Sequence, residues 1–202
     1  MNSETILSIA KETIEREGKA ILQVLPQLNE DFVKAAELLY KCQGHVLIAG
    51  SGTSHAVALR FAHLLSCCGT PSLFIHPGDS QHGLSGAVTK DDILIVISKG
   101  GSTVEVNTLA KIARKKGAKI IGITEKPDSE MGNYCDLVLK VVSPENVDLY
   151  GMIATGSSLV NCAYADALCI VLAKMRNYSV QEFGDTHPGG AVGLKIKERK
   201  AQ

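Results

Sequence analysis

Hydroxyl side chains gather at two glycine-rich bends in this chain, and each bend follows an apolar run. The first bend is Gly50-Ser51-Gly52-Thr53-Ser54; the second is Ser98-Lys99-Gly100-Gly101-Ser102-Thr103, after Asp92–Ile97. A helical pattern starts just past each. Strand, bend and helix in that order present free backbone N–H groups and the positive end of a helix dipole, which together favour a phosphate. Tight-turn geometry accounts for the glycines. It does not explain why Ser51, Thr53, Ser54, Ser98, Ser102 and Thr103 share those two ends, and hydroxyls beside free amides suit a phosphate monoester. Two rival readings lose support. A dinucleotide fingerprint needs a third glycine where His55 stands, and an acid at the end of the second strand, which runs Phe74-Ile75-His76-Pro77. A triphosphate loop, GxxxxGK[ST], is missing from the sequence.

The elements that must position these bends follow from periodicity. Residues 3–26 carry apolar side chains at helical spacing, and 30–42 resume it after Pro26 and Asn29. The rhythm then changes to Val- and Ile-rich runs at 45–49, 72–75, 92–97, 119–123 and 136–142, separated by helical patterns at 54–68, 103–116 and 129–134. Strand–helix alternation with short links implies an α/β fold. It would be a doubly wound, mostly parallel five-stranded sheet flanked by helices, with N-terminal helices in front. Ligands of such sheets bind beyond the carboxyl ends of the strands, where both bends would sit. Residues 155–174 form a long apolar helix, and the charged stretch after Leu194 is expected to be a solvated tail. The whole chain is expected to be one domain: helices over 1–43, a core over 44–193 and the tail over 194–202.

Composition narrows the partners. Lys plus Arg and Asp plus Glu number 21 each, so no net field draws nucleic acid, and the lack of Trp argues against single-strand stacking. No apolar run is expected to reach the roughly 20 residues of a membrane span. Cys42, Cys67, Cys68, Cys135, Cys162 and Cys169 form no CxxC pair. They are expected to be free thiols in a reducing, cytoplasmic setting.

With those residues in place the chain resembles the sugar isomerase (SIS) domain of phosphosugar isomerases and phosphosugar-binding proteins, and most of all the arabinose-5-phosphate isomerase group without its C-terminal regulatory domains. Four segments carry the resemblance: IAGSGTSHAVALRFAHLLSCCGTPSLFIHPGDSQHG, DDILIVISKGGSTVEV, the TGSS…YADAL helix, and EFGDTHPGGAVG. The resemblance implies a phosphate grip by Ser98, Ser102 and Thr103, with Ser54 from the first bend; Ser51 and Thr53 join them on the hydroxyl pattern alone, and Lys99 either restores a positive charge near the phosphate or is a solvated loop lysine. It implies that His187 reaches an active site shared between subunits of a homodimer or homotetramer, and His82, in HPGDSQHG, matches a family histidine in the loop after the second strand. His187 lies in a Thr-His-Pro-Gly-Gly turn that offers little burial to explain it. His45, His55 and His63 are expected to be ordinary surface or satisfied side chains.

The implied chemistry is aldose–ketose isomerisation of a phosphorylated pentose or hexose through an enediol. It needs a base near C2 and a proton shuttle for ring opening. His187 or His82 suits the shuttle, because imidazole titrates near neutrality. Glu105, one turn into the helix after the second bend, or Glu145 suits the base, although a first-turn acid such as Glu105 also simply complements the helix dipole. No cofactor or metal is expected, and the histidines lack HxH or HxxxH spacing. The chain departs from the group's pattern in the first bend, where Thr53 replaces a lysine. It departs again in the second bend, which lacks a glutamate, and at Asn146, where an acid is usual. Those departures leave open a non-catalytic phosphosugar-binding or regulatory module.

Overall fold

Strands rich in Val and Ile, with no polar face, must be covered on both sides, and that requirement organises the molecule. The computed structural model describes residues 1–200. Five parallel strands, β1 (Val46–Gly50), β2 (Ser72–Phe74), β3 (Ile93–Ile97), β4 (Lys119–Thr124) and β5 (Leu137–Lys140), form one sheet in the order β2-β1-β3-β4-β5. Because successive side chains point to opposite faces, Val46, Ile48, Ile93 and Ile95 enter one core. Leu47, Ala49, Leu94 and Val96 enter the other.

The first core is closed by α1 (Ser3–Leu22), α2 (Glu30–Tyr40), α3 (Thr53–Cys67) and α6 (Gly156–Met175). The second is closed by α5 (Val104–Lys115). Between β2 and β3 lies the single turn α4 (Pro77–Ser80). The chain leaves β1 toward β2 on one side and returns to β3 on the other, so the order reverses between β1 and β3. Their ends are level, with Gly50 opposite Ile97.

Several sequence expectations are corrected. The first helix stops at Leu22, short of Pro26, which sits instead in a short 3-10 turn. Residues 129–134 yield only a 3-10 turn, Gly132–Tyr134. The stretch after Leu194 is not a free tail: it continues α8 (Gly190–Lys200), which packs on α7 (Val180–Thr186) and buries Ile196 against Gly184. Residues 201 and 202 of the expected tail lie outside the described residues. Helix α6 falls within one residue of the expected 155–174, and 18 of its 20 residues have a mean hydropathy of 1.5, so by length and composition alone it could cross a bilayer. Here it packs Val160, Tyr164, Leu168 and Leu172 into the core, and the Tyr164 ring meets Phe32 edge-on at 5.4 Å.

One buried acid ties the entry of β3 to its neighbours. Asp92 accepts the His45 N–H (2.7 Å), the Thr89 N–H (2.7 Å) and the Thr89 hydroxyl (2.9 Å). Burial pushes its pKa up, but the His45 and Thr89 donors together outweigh that and hold it below the ordinary aspartate value. A folded-state pKa below the unfolded one, about 3.9, stabilises the fold above that pH. The stabilisation is lost as pH falls through the lowered value. Asp92→Asn is expected to lose about 1–3 kcal/mol at pH 7, the usual cost of an impaired buried hydrogen-bond set. Urea denaturation between pH 7 and about pH 2.5 should also show a shallower acid-induced loss in the variant than in the native protein.

Candidate functional site

Both bends emerge side by side at the switch between β1 and β3. In the first, Gly52 precedes α3 with φ 60° and ψ −131°. A β-carbon there would touch nothing within 4 Å, so the demand for glycine is one of backbone conformation alone. Gly52 at the start of α3 and Thr103 at the start of α5 make no side-chain cap, which leaves the first N–H groups of both helices available to an anion. Ser51 and Ser54 are half-buried and Thr53 is exposed.

The second bend is held more tightly. Ser98 is buried, its N–H donating to the Ile123 carbonyl at 3.1 Å. Its hydroxyl shares a 2.9 Å hydrogen bond with the Thr103 hydroxyl and accepts the Gly101 N–H at 3.1 Å. Gly101 has φ 66°, and a β-carbon on it would collide with the Ser129 side chain. Its carbonyl accepts the Met131 N–H (3.0 Å) and the Asn107 side-chain amide (3.3 Å). Ser102 remains exposed, its hydroxyl donating to the Gly100 carbonyl at 3.3 Å.

Behind this bend lies a group of charges that sequence reasoning missed. The Lys99 ammonium donates to Asp148 Oδ2 at 3.1 Å and stands 3.9 Å from Glu125 Oε1. Asp148 also accepts both the N–H and the hydroxyl of Ser157 in the first turn of α6. Burial works to raise the Asp148 pKa, but the Ser157 donors and then the Lys99 ammonium hold it below the ordinary value. Glu125 accepts the Ser143 N–H (3.0 Å) and hydroxyl (2.6 Å). Position alone was a usable signal for Glu125, which follows β4 much as Ser98 follows β3. Asp148 offered a fainter one, a lone acid between Val147 and Leu149.

The remaining nominated residues are not gathered at the bends. Glu105 is exposed in the first turn of α5, and Glu145 is exposed in the loop after β5. Among the described residues, no hydrogen bond or ion pair ties either to the hydroxyl cluster. His82 is exposed, its N–H donating to the Asp79 carbonyl at 2.9 Å. Nearer the first bend, the His55 ring lies 4.5 Å from the Phe74 ring and 5.6 Å from that of His76, at the end of β2. His55 was set aside in the sequence and His76 was not considered.

His187 lies far from both bends of its own chain. Its Nε2 is 3.5 Å from Cys67 Sγ, in the last turn of α3, whereas Thr53 and Ser54 open that helix. Fourteen residue steps at about 1.5 Å each separate the two ends by about 21 Å. The His187 Nδ1 lies 2.9 Å from the Phe183 carbonyl, which can only accept, so Nδ1 carries a proton and Nε2 faces the Cys67 thiol. The ring stacks on Phe183 at 3.9 Å.

A parallel sheet ordered 2-1-3-4-5, with two hydroxyl-rich bends at its switch point, defines a doubly wound α/β domain. Residues 38–171 match the SIS domain, and the chain belongs to that family. Arabinose 5-phosphate isomerase KdsD of Pseudomonas aeruginosa is 35% identical over 187 residues, covering 93% of this chain. The chain spans 57% of that relative's length. A solved protein of Escherichia coli CFT073, in complex with arabinose 5-phosphate, superposes with a TM-score of 0.89 at 30% identity, covering 93% of this chain and 100% of that one. A protein of Listeria monocytogenes also superposes at 0.89, with 36% identity over 94% of this chain and 100% of that one.

Proposed function

We propose that the protein is a sugar-phosphate isomerase that interconverts an aldose and a ketose phosphate through an enediol. The observation carrying this reading is the pairing of two uncapped, hydroxyl-lined helix starts at the level ends of β1 and β3. Ser98, Ser102, Thr103, Ser51, Thr53 and Ser54 would receive the phosphate, and Lys99 is the cation of the second bend. The names of the Pseudomonas relative and of the ligand in the Escherichia structure support a pentose 5-phosphate as substrate.

In this reading a carboxylate removes the proton from C2 of the opened aldose and returns it to C1, and an acid and base pair moves the proton between the two oxygens. Glu105 and Glu145 are the proposed carboxylates, and His82 and His187 the proposed ring-opening groups. His187 would serve the site of a second copy, because its own lies about 21 Å away along α3. Self-association as a homodimer or homotetramer agrees with the apolar side chains on α1, where Leu7 and Ile14 are 58% and 71% exposed. Six free thiols agree with a reducing compartment such as the cytoplasm.

The test is incubation with arabinose 5-phosphate, ribulose 5-phosphate and glucosamine 6-phosphate in deuterated water. Deuterium appearing at C2 establishes enediol chemistry. Thermal stabilisation by a phosphosugar without exchange favours the binding module that Thr53 in the lysine position suggests. Ser98→Ala and Thr103→Val are each expected to weaken binding of every phosphosugar by about tenfold or more, the scale of a lost hydrogen bond to an anion. Calorimetric titration with all three sugars checks this, and an effect confined to one sugar would remove these residues from the phosphate grip.

A further inference from the structure

Two carboxylates stand behind a loop that must welcome an anion, and that is an electrostatic conflict. Asp148, with a side chain only 2% exposed, is fixed by the Ser157 N–H and hydroxyl; Glu125 is fixed by the Ser143 N–H and hydroxyl. Neither anchor involves Lys99, so both carboxylates would keep their places without it. Lys99 belongs to the bend itself: its carbonyl accepts the Thr124 hydroxyl (3.0 Å) and the Glu125 N–H (3.1 Å). Its ammonium reaches backward, to 3.1 Å from Asp148 and 3.9 Å from Glu125.

With Lys99 the three groups sum to one negative charge; without it they sum to two. A phosphate monoester brings about −1.5 to −2 of its own at neutral pH. A buried carboxylate such as Asp148 is screened less than an exposed one, so an uncompensated pair behind the bend would oppose an anion on it.

We propose that Lys99 is an internal counter-ion: it neutralises the Asp148–Glu125 carboxylates so that the adjoining bend accepts a phosphate dianion, and Asp148 is the residue that positions it. The inference rests on the sugar-phosphate reading above. A lysine in direct contact with the phosphate would behave differently, because its contribution would not depend on the acids behind it. The two roles separate in a double-mutant cycle.

Arabinose 5-phosphate is the probe, titrated calorimetrically into the full chain at constant salt. Lys99→Met is expected to weaken its binding by about tenfold or more. Adding Asp148→Asn to that variant should recover most of the loss, and Asp148→Asn alone should bind at least as tightly as the native protein. A double variant as weak as Lys99→Met would overturn the proposal in favour of direct contact. So would a Lys99→Met variant that binds normally. If loss of Asp148 prevents folding, judged by circular dichroism, Glu125→Gln in the Lys99→Met background gives the same comparison with the α6 anchor intact. A native protein that binds none of the three phosphosugars sinks the sugar-phosphate reading itself; native binding without rescue sinks only the counter-ion.

Discussion

Alanine in place of Gly101 should abolish detectable phosphosugar binding and destabilise the protein by about 2–4 kcal/mol, combining a left-handed backbone penalty with overpacking. The residue has φ 66°, and the added β-carbon would strike the Ser129 side chain. Relief by movement is costly, since the Gly101 peptide joins three segments. Its N–H donates to Ser98, and its carbonyl holds Met131 and Asn107. Displacing it pulls the Ser98 hydroxyl away from Thr103. Gly100→Ala next door is the control: a β-carbon there meets nothing within 4 Å and φ is not positive, so its effect should stay within about 0.5 kcal/mol. Urea midpoints and calorimetric titration of the two variants make the comparison. Equal behaviour would mean the bend is not the rigid frame described above.

His187→Ala should lower kcat by about 10²–10⁴, the contribution of a positioned acid–base group, while KM for the phosphosugar changes little. The imidazole is fixed in place, with Nδ1 held by the Phe183 carbonyl, the ring stacked on Phe183 and Nε2 against the Cys67 thiol. Its distance from the bends of its own chain gives a sharper test. Mixing His187→Ala with the Ser98→Ala variant, after reversible dissociation, should give more activity at low substrate concentration than the two components contribute separately. An intact Ser98 from one chain would then meet an intact His187 from another. Unchanged kcat in His187→Ala, or mixtures no better than their components, would remove His187 from the chemistry.

The sheet was legible chiefly through its central strands β1, β3 and β4, which are buried on both faces and so spell nearly uninterrupted apolar runs. The hydroxyl bends were legible because they punctuate those runs. Shorter elements were not. The helix α7 starts with a capping box, Ser179 and Glu182 satisfying each other, but seven residues carry too little periodicity to stand out. The helix α8 looked like a solvated tail because its charges outnumber its apolar residues, and only the packing of Ile196 on α7 shows otherwise. In the loop after β5 the sequence offered Glu145, whereas the buried acid is Asp148, three positions on. Loop curvature decides which of two nearby carboxylates turns inward, and no periodicity encodes it. The partnership of Lys99 with Glu125 and Asp148 joins residues 26 and 49 positions apart, and only the strand order brings them together.

Each chain carries its first hydroxyl bend at the opening turn of α3 and the His187 imidazole beside the closing turn, at Cys67. If, as proposed, His187 completes the site of a second copy, specific activity would depend on concentration. Diluted past the point where copies separate, the protein should keep its fold and its hold on phosphate while turnover fades, and adding back concentrated protein that is inactive but retains His187 should revive it.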